Sequence, residues 1–211
     1  DPDLTHSLPP EATASTGMDA LTQLIEPFLS PAATPFTDAL CRAAIPKAVR
    51  ALPQAHQDGH DPDAREAMAW ASLCGGLALA HARLGAVHGF AAPIGGLCHA
   101  PHGAVCAALL PDVLEANLRA LRQREPEHPA LSRLVELGRL VTSRAEASAE
   151  EGIEAIRRLQ QQLSIPTLSH WGITADQLST LSTQAAEASS MQGNPIRLTP
   201  EERLAILEAA L

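Results

Sequence analysis

Aromatic side chains are scarce in this chain of 211 residues, which holds three Phe, two Trp and no Tyr. Basic charge is scarce as well: 15 Lys and Arg stand against 24 Asp and Glu, for a net charge of −9. Nucleic-acid binding needs a basic face for the phosphates and draws on aromatic rings for stacking, so the composition argues against that class. No apolar run reaches the ~18 residues of a membrane-spanning helix, and no basic segment precedes a signal-like stretch. The expectation is a cytoplasmic protein with no membrane partner. Cys41, Cys74, Cys98 and Cys106 form no C-x-x-C pair and are expected as free thiols, mostly in the core. β-branched and aromatic residues nowhere alternate over four to eight positions, which argues against strands. No G-x-G-x-x-G loop for a dinucleotide is present.

What is present is helical pattern. Apolar residues make up 45% of the chain and charged ones 18%, as in a globular domain with a sizeable core. The opening DPDLTHSLPP reads as an extended lead-in, of the kind that follows a preceding segment. Thr16-x-x-Asp19 has the form of a capping box, and Met18, Leu21, Leu24, Ile25 and Phe28 then recur at helical steps. Pro27 is expected to end or kink that helix near Glu26. A second helix is expected over Asp38–Leu52, bent at Pro46. Asp61-Pro62-Asp63 marks a third start, and the helix Ala64–Ala82, apolar nearly all round, is expected at the centre of the domain. Further helices are expected over Val105–Ala120 with a break at Pro111, Pro129–Val141, from Ser148-x-x-Glu151 to Pro166, over Thr174–Ala188, and from Thr199-Pro200-Glu201-Glu202 to Leu211. The fold class is all-α, a single domain of roughly eight or nine helices.

The stretch with the most chemistry is His88–Gly103, HGFAAPIGGLCHAPHG, with His88 and His102 fourteen residues apart. Two packed helices would bring them together. Pro101-His102 reads as a helix start, with His102 in the first turn, and Gly95-Gly96 as a place for a turn or close backbone approach. Asp19 and Gln23, four apart, share a helix face. Glu26 lies seven residues after Asp19 on that face and reads first as a helix-face carboxylate, with an orienting role the alternative. By themselves, Asp19 is explained by capping and His88 by a hydrogen-bonded core position. A protonated His102 sits less comfortably at the positive end of a helix.

The stretch resembles the signature H-G-x-x-H-x-x-G-x-x-x-x-x-P-H-G of the iron-containing (group III) alcohol dehydrogenase family, matched throughout except that Ala92 replaces the middle histidine. The opening DPDLTHSLPPEATASTGMDALT and the tail NPIRLTPEERLAILEAAL resemble that family too. The resemblance implies a dehydroquinate synthase-like, helical, metal-binding C-terminal domain over residues 1–211, with the N-terminal dinucleotide-binding domain absent from this chain. It implies Asp19, His88 and His102 as metal ligands, with Gln23 at the fourth ligand position, and His99 as a catalytic candidate near substrate or nicotinamide. The implied cofactors are Fe²⁺ or Zn²⁺ and, through the N-terminal domain, NAD or NADP. The implied partners are a small alcohol, aldehyde or ketone and a second copy in a dimer. The implied reaction is hydride transfer between nicotinamide and a metal-polarised alcohol or carbonyl, with this domain alone expected to be inactive. Gln23 and Ala92 keep a second reading open, a metal-depleted relative acting as a binding or assembly module.

Overall fold

Proline and short polar side chains set where the helices begin. The structure, a computed structural model, describes residues 1–211, and its regular elements are nine α-helices and four short 3-10 turns with no strand. The helices are α1 Pro10–Leu29, α2 Pro35–Gln57, α3 Pro62–His81, α4 Ala86–Leu97, α5 His102–Arg124, α6 Ala130–Thr142, α7 Ala149–Gln162, α8 Leu178–Glu187 and α9 Pro200–Ala209. Pro begins α1, α2, α3 and α9, where its missing N–H costs nothing. Thr34, Ser148 and Thr199 close capping boxes on α2, α7 and α9, and Asp61 caps α3 through the Ala64 N–H.

Several boundaries differ from the sequence expectation. Residues 2–5 form a 3-10 turn rather than an extended lead-in. The helix α1 starts at Pro10, so Thr16 lies inside it and its hydroxyl donates to the Ala12 carbonyl instead of capping. Pro27, Pro46 and Pro111 neither end nor break their helices. Each removes one backbone hydrogen bond, but the turns around them are held by buried side chains on both sides, and packing outweighs the loss.

The centre of the domain is also elsewhere than expected. The inner helices are α1, which packs against α2, α3, α5 and α6, and α5, which packs against α1, α4, α7 and α9. Met18, Leu21, Leu24, Ile25 and Phe28 of α1 are fully buried, each stabilising the fold by about 1.5–3 kcal/mol. The helix α3 buries Ala64 and Arg65 in its first turn and then one side, Ala71, Cys74, Gly75 and Ala78, and exposes Leu73 and Leu77. Its all-round apolar character therefore reflects an unpartnered outer face as much as a core. Gly103 sets the distance between the two inner helices: a Cβ there would collide with the Ser15 carbonyl oxygen of α1. A Cβ at Gly95 or Gly96 would meet open space, so the expected close approach falls at Gly103 instead. No helix is long and apolar enough to cross a membrane.

Candidate metal centre

Three helices converge on one point. Asp19 comes from the middle of α1, His88 from the first turn of α4, and His102 from the first residue of α5. Their side chains meet, joined by Cys106, one turn further along α5; one ligand-capable atom of each of the four lies within 4.8 Å of all the others. His88 Nε2 is 3.3 Å from Asp19 Oδ1, His102 Nε2 is 3.9 Å from the same oxygen, and Cys106 Sγ is 3.5 Å from His102 Nε2. The two imidazoles lie with ring centroids 5.4 Å apart. Asp19, His88 and His102, far apart in sequence, are thus brought together as neighbours.

Behind the cluster stands Glu26, which is buried with 6% of its surface exposed rather than lying on a solvated helix face. Its Oε2 is 2.6 Å from His88 Nδ1 and its Oε1 accepts the Val87 N–H at 2.7 Å. A carboxylate at Nδ1 makes that nitrogen the donor and aims Nε2 at Asp19. The Nε2–Asp19 approach lacks the alignment of a hydrogen bond, so both atoms are buried with no hydrogen-bond partner. Unpaired buried polar atoms are costly, and two of them facing one point mark a place for a ligand.

Electrostatics follow from this arrangement. Burial disfavours a charged His88, but the side chains of Asp19, Cys106 and Glu26 outweigh it and raise its pKa to about 12. Burial pushes the Asp19 carboxyl up, yet His88, His102 and the Gln23 amide together hold it below the usual carboxylate range. The Cys106 thiol is raised to about 11, by burial first and by Asp19 and Glu26 besides, against the opposing pull of His88. Without an ion the site is therefore a buried imidazolium between two carboxylates. With a divalent cation in the protons' place, the same donors are one carboxylate, two imidazoles and a thiolate, a set suited to Zn²⁺ or Fe²⁺. The residues fit a metal.

Gln23 sits one turn beyond Asp19 on α1, with its amide beside the Asp19 carboxylate. His99 lies exposed in the loop before α5 and is not a member of the cluster. Ala92, one turn beyond His88 on α4, is exposed. Sequence reasoning missed one residue of the site and put the orienting role of another second. Cys106 was placed with the core thiols, although its spacing of four from His102 puts it on the same helix face. Glu26 had the right spacing from Asp19, but spacing gave no sign that α4 would cover it. A cavity of about 650 Å³ lies away from the cluster, beside Arg124, Asn194 and Arg203. The guanidinium groups of Arg124 and Arg203 are engaged there by backbone carbonyls and Glu202.

Comparison with known proteins adds a family. The model of the family described as Fe-containing alcohol dehydrogenase family, C-terminal, matches residues 13–211. Alcohol dehydrogenase 4 of Saccharomyces cerevisiae is 36% identical over 211 residues, covering 100% of this chain and 53% of the yeast protein. The 1,3-propanediol dehydrogenase of Klebsiella pneumoniae is 37% identical over 212 residues, covering 100% of this chain and 54% of that protein. Among solved structures, the alcohol dehydrogenase from Oenococcus oeni superposes with a TM-score of 0.91 at 34% identity, over 100% of this chain and 54% of that one. The chain spans about half the length of the relatives it matches.

Proposed function

The chain belongs to the iron-containing alcohol dehydrogenase family, and from that premise we propose that it is the metal- and substrate-binding half of an NAD(P)-dependent alcohol dehydrogenase or carbonyl reductase. The observation that carries the reading is the convergence of Asp19, His88 and His102 with two buried donor atoms left unpaired. In this reading residues 1–211 form the helical domain, and the dinucleotide is held by a second domain that the longer relatives have room for. The exposed Leu73 and Leu77 of α3 suit a face that such a domain covers.

Asp19, His88 and His102 are the residues that would hold the ion. A divalent cation there supplies Lewis acidity, lowering the pKa of an alcohol hydroxyl and, in the reverse direction, polarising a carbonyl. Asp19 brings negative charge to the ion's side of the site. Glu26 keeps the Nδ1–H of His88 engaged, so that Nε2 is the free lone pair. His102, with 54% of its side chain exposed, stands on the open side, where a small alcohol has access. His99 is assigned to the substrate or nicotinamide side, where an exposed imidazole can pass a proton to solvent.

The test uses the longer protein containing this chain. It is expected to oxidise small alcohols with NAD or NADP, to lose turnover on chelation, and to lose it again in Asp19→Ala with the fold retained. Undiminished turnover after complete metal removal would overturn the reading. The 211 residues alone are expected to show no turnover, because orientation of the nicotinamide against the substrate carbon supplies much of the rate.

A further inference from the structure

We propose that Cys106 is itself a metal ligand, so that the ion is held by Asp19, His88, His102 and a Cys106 thiolate, and that the site prefers zinc to iron. The proposal rests on the metal reading above and names a donor that this reading does not need. Four observations carry it. Cys106 and His102 are four residues apart on α5 and share a face. Gly103 lets that face lie directly on α1, beside Asp19. Cys106 Sγ sits 3.5 Å from His102 Nε2 and within 4.8 Å of a ligand atom of each of the other three groups. The buried His88 Nε2 and Asp19 Oδ1 have no hydrogen-bond partner and face the same point.

The chemistry favours the assignment. Gln23, on the Asp19 face, offers only a weak neutral amide oxygen, whereas a thiolate is a strong donor. Asp19 and a Cys106 thiolate place two anionic donors directly on the ion, where a neutral amide would place one. Sulfur is the softer donor and shifts preference along the divalent series from Fe²⁺ towards Zn²⁺. On binding, the Cys106 S–H bond breaks, its electron pair goes to the metal, and the proton is released to solvent. No electron is transferred.

The experiment uses the 211-residue chain, whose core of 51 buried residues is closed within it. Reduced protein is titrated anaerobically with Zn²⁺, Co²⁺ and Fe²⁺, each as the simple ion. One ion per chain is expected, tightest for Zn²⁺ over Fe²⁺, with a near-ultraviolet thiolate-to-cobalt charge-transfer band for Co²⁺. X-ray absorption at the zinc edge on the unaltered chain is expected to show a sulfur neighbour at about 2.3 Å. Cys106→Ser should abolish the band and weaken Zn²⁺ binding at least about a hundredfold, since removing even the groups that orient a ligand costs ten- to a hundredfold. Stoichiometric binding with no charge-transfer band and a nitrogen–oxygen shell only would overturn the Cys106 assignment and leave the metal reading intact. No binding of any of the three ions would overturn both.

Discussion

Raising the pH in the presence of a chelator should weaken this chain, because the unfolded chain sheds the His88 proton while the folded one holds it. The ring lies between Glu26, 2.6 Å from Nδ1, and Asp19, 3.3 Å from Nε2, and its pKa is raised to about 12 from 6.5. A group whose folded pKa lies above its unfolded one stabilises most below the unfolded value, and that stabilisation is lost as pH climbs towards the folded value. Between pH 6.5 and 8.5 the folded ring keeps its proton and the unfolded one releases it. Over those two pH units the loss approaches about 3 kcal/mol. For a chain of this length that corresponds to a fall of roughly 5–10 °C in melting temperature.

Urea unfolding at half-unit pH steps, with chelator present, measures it. The slope for His88→Asn should be shallower than for the unaltered chain by about 1.36 kcal/mol per unit, which subtracts the other titrating groups. Equal slopes would refute the buried imidazolium. With saturating Zn²⁺ the sign should reverse. The ion displaces protons from His88 and from its other donors, so its affinity, and the stabilisation it brings, rises with pH.

Glu26→Gln should lower Zn²⁺ affinity about ten- to a hundredfold, read by competitive titration, because an amide nitrogen facing Nδ1 favours the tautomer whose proton sits on Nε2. An unchanged affinity would mean that Glu26 does not orient the ring. Asn194→Ala should destabilise by about 3 kcal/mol or more in chemical denaturation. The Asn194 side chain satisfies the Ala86 N–H at the start of α4, the Ile196 carbonyl and the buried Asn117 amide on α5, so its loss strands partners in three segments at once.

The helices were legible because their signals are local. Caps at Asp61, Ser148 and Thr199 and the apolar steps of Met18 to Phe28 need only a few neighbouring residues to be read. What lay beyond the sequence is long-range. The depth of α3 depends on what covers its second face, and nothing among these residues covers Leu73. Thr16 failed as a cap because the helix had already begun at Pro10, a competition between two good start signals six residues apart. At the site, the spacing of His88 and His102 pointed to a pair, but the residues completing the arrangement were hidden by their ordinary appearance. Glu26 resembles any helix carboxylate until α4 lies across it, and Cys106 resembles any core thiol until Gly103 brings α5 against α1.

Gln23 is where the sequence and the site can be played against each other. Asp19 and Gln23 share a face of α1, and the Gln23 amide already lies beside the Asp19 carboxylate, so an imidazole at this position would reach the same point. In the Cys106→Ser background, Gln23→His should restore Zn²⁺ and Fe²⁺ affinity by at least about tenfold, or roughly 1.4 kcal/mol, by replacing a weak neutral oxygen with a strong nitrogen donor. In the unaltered chain the gain should be smaller, since Cys106 already supplies a strong donor there. The two substitutions share one ion, so their effects should be coupled rather than additive, and a double-mutant cycle on metal affinity measures the coupling directly. Asp19→Ala in the doubly substituted chain should remove most of the gain, because it takes away the carboxylate that both arrangements use. Equal gains with and without Cys106 would show that residue 23 and the thiol do not serve the same ion, and no gain in either background would show that α1 does not aim position 23 at the cluster.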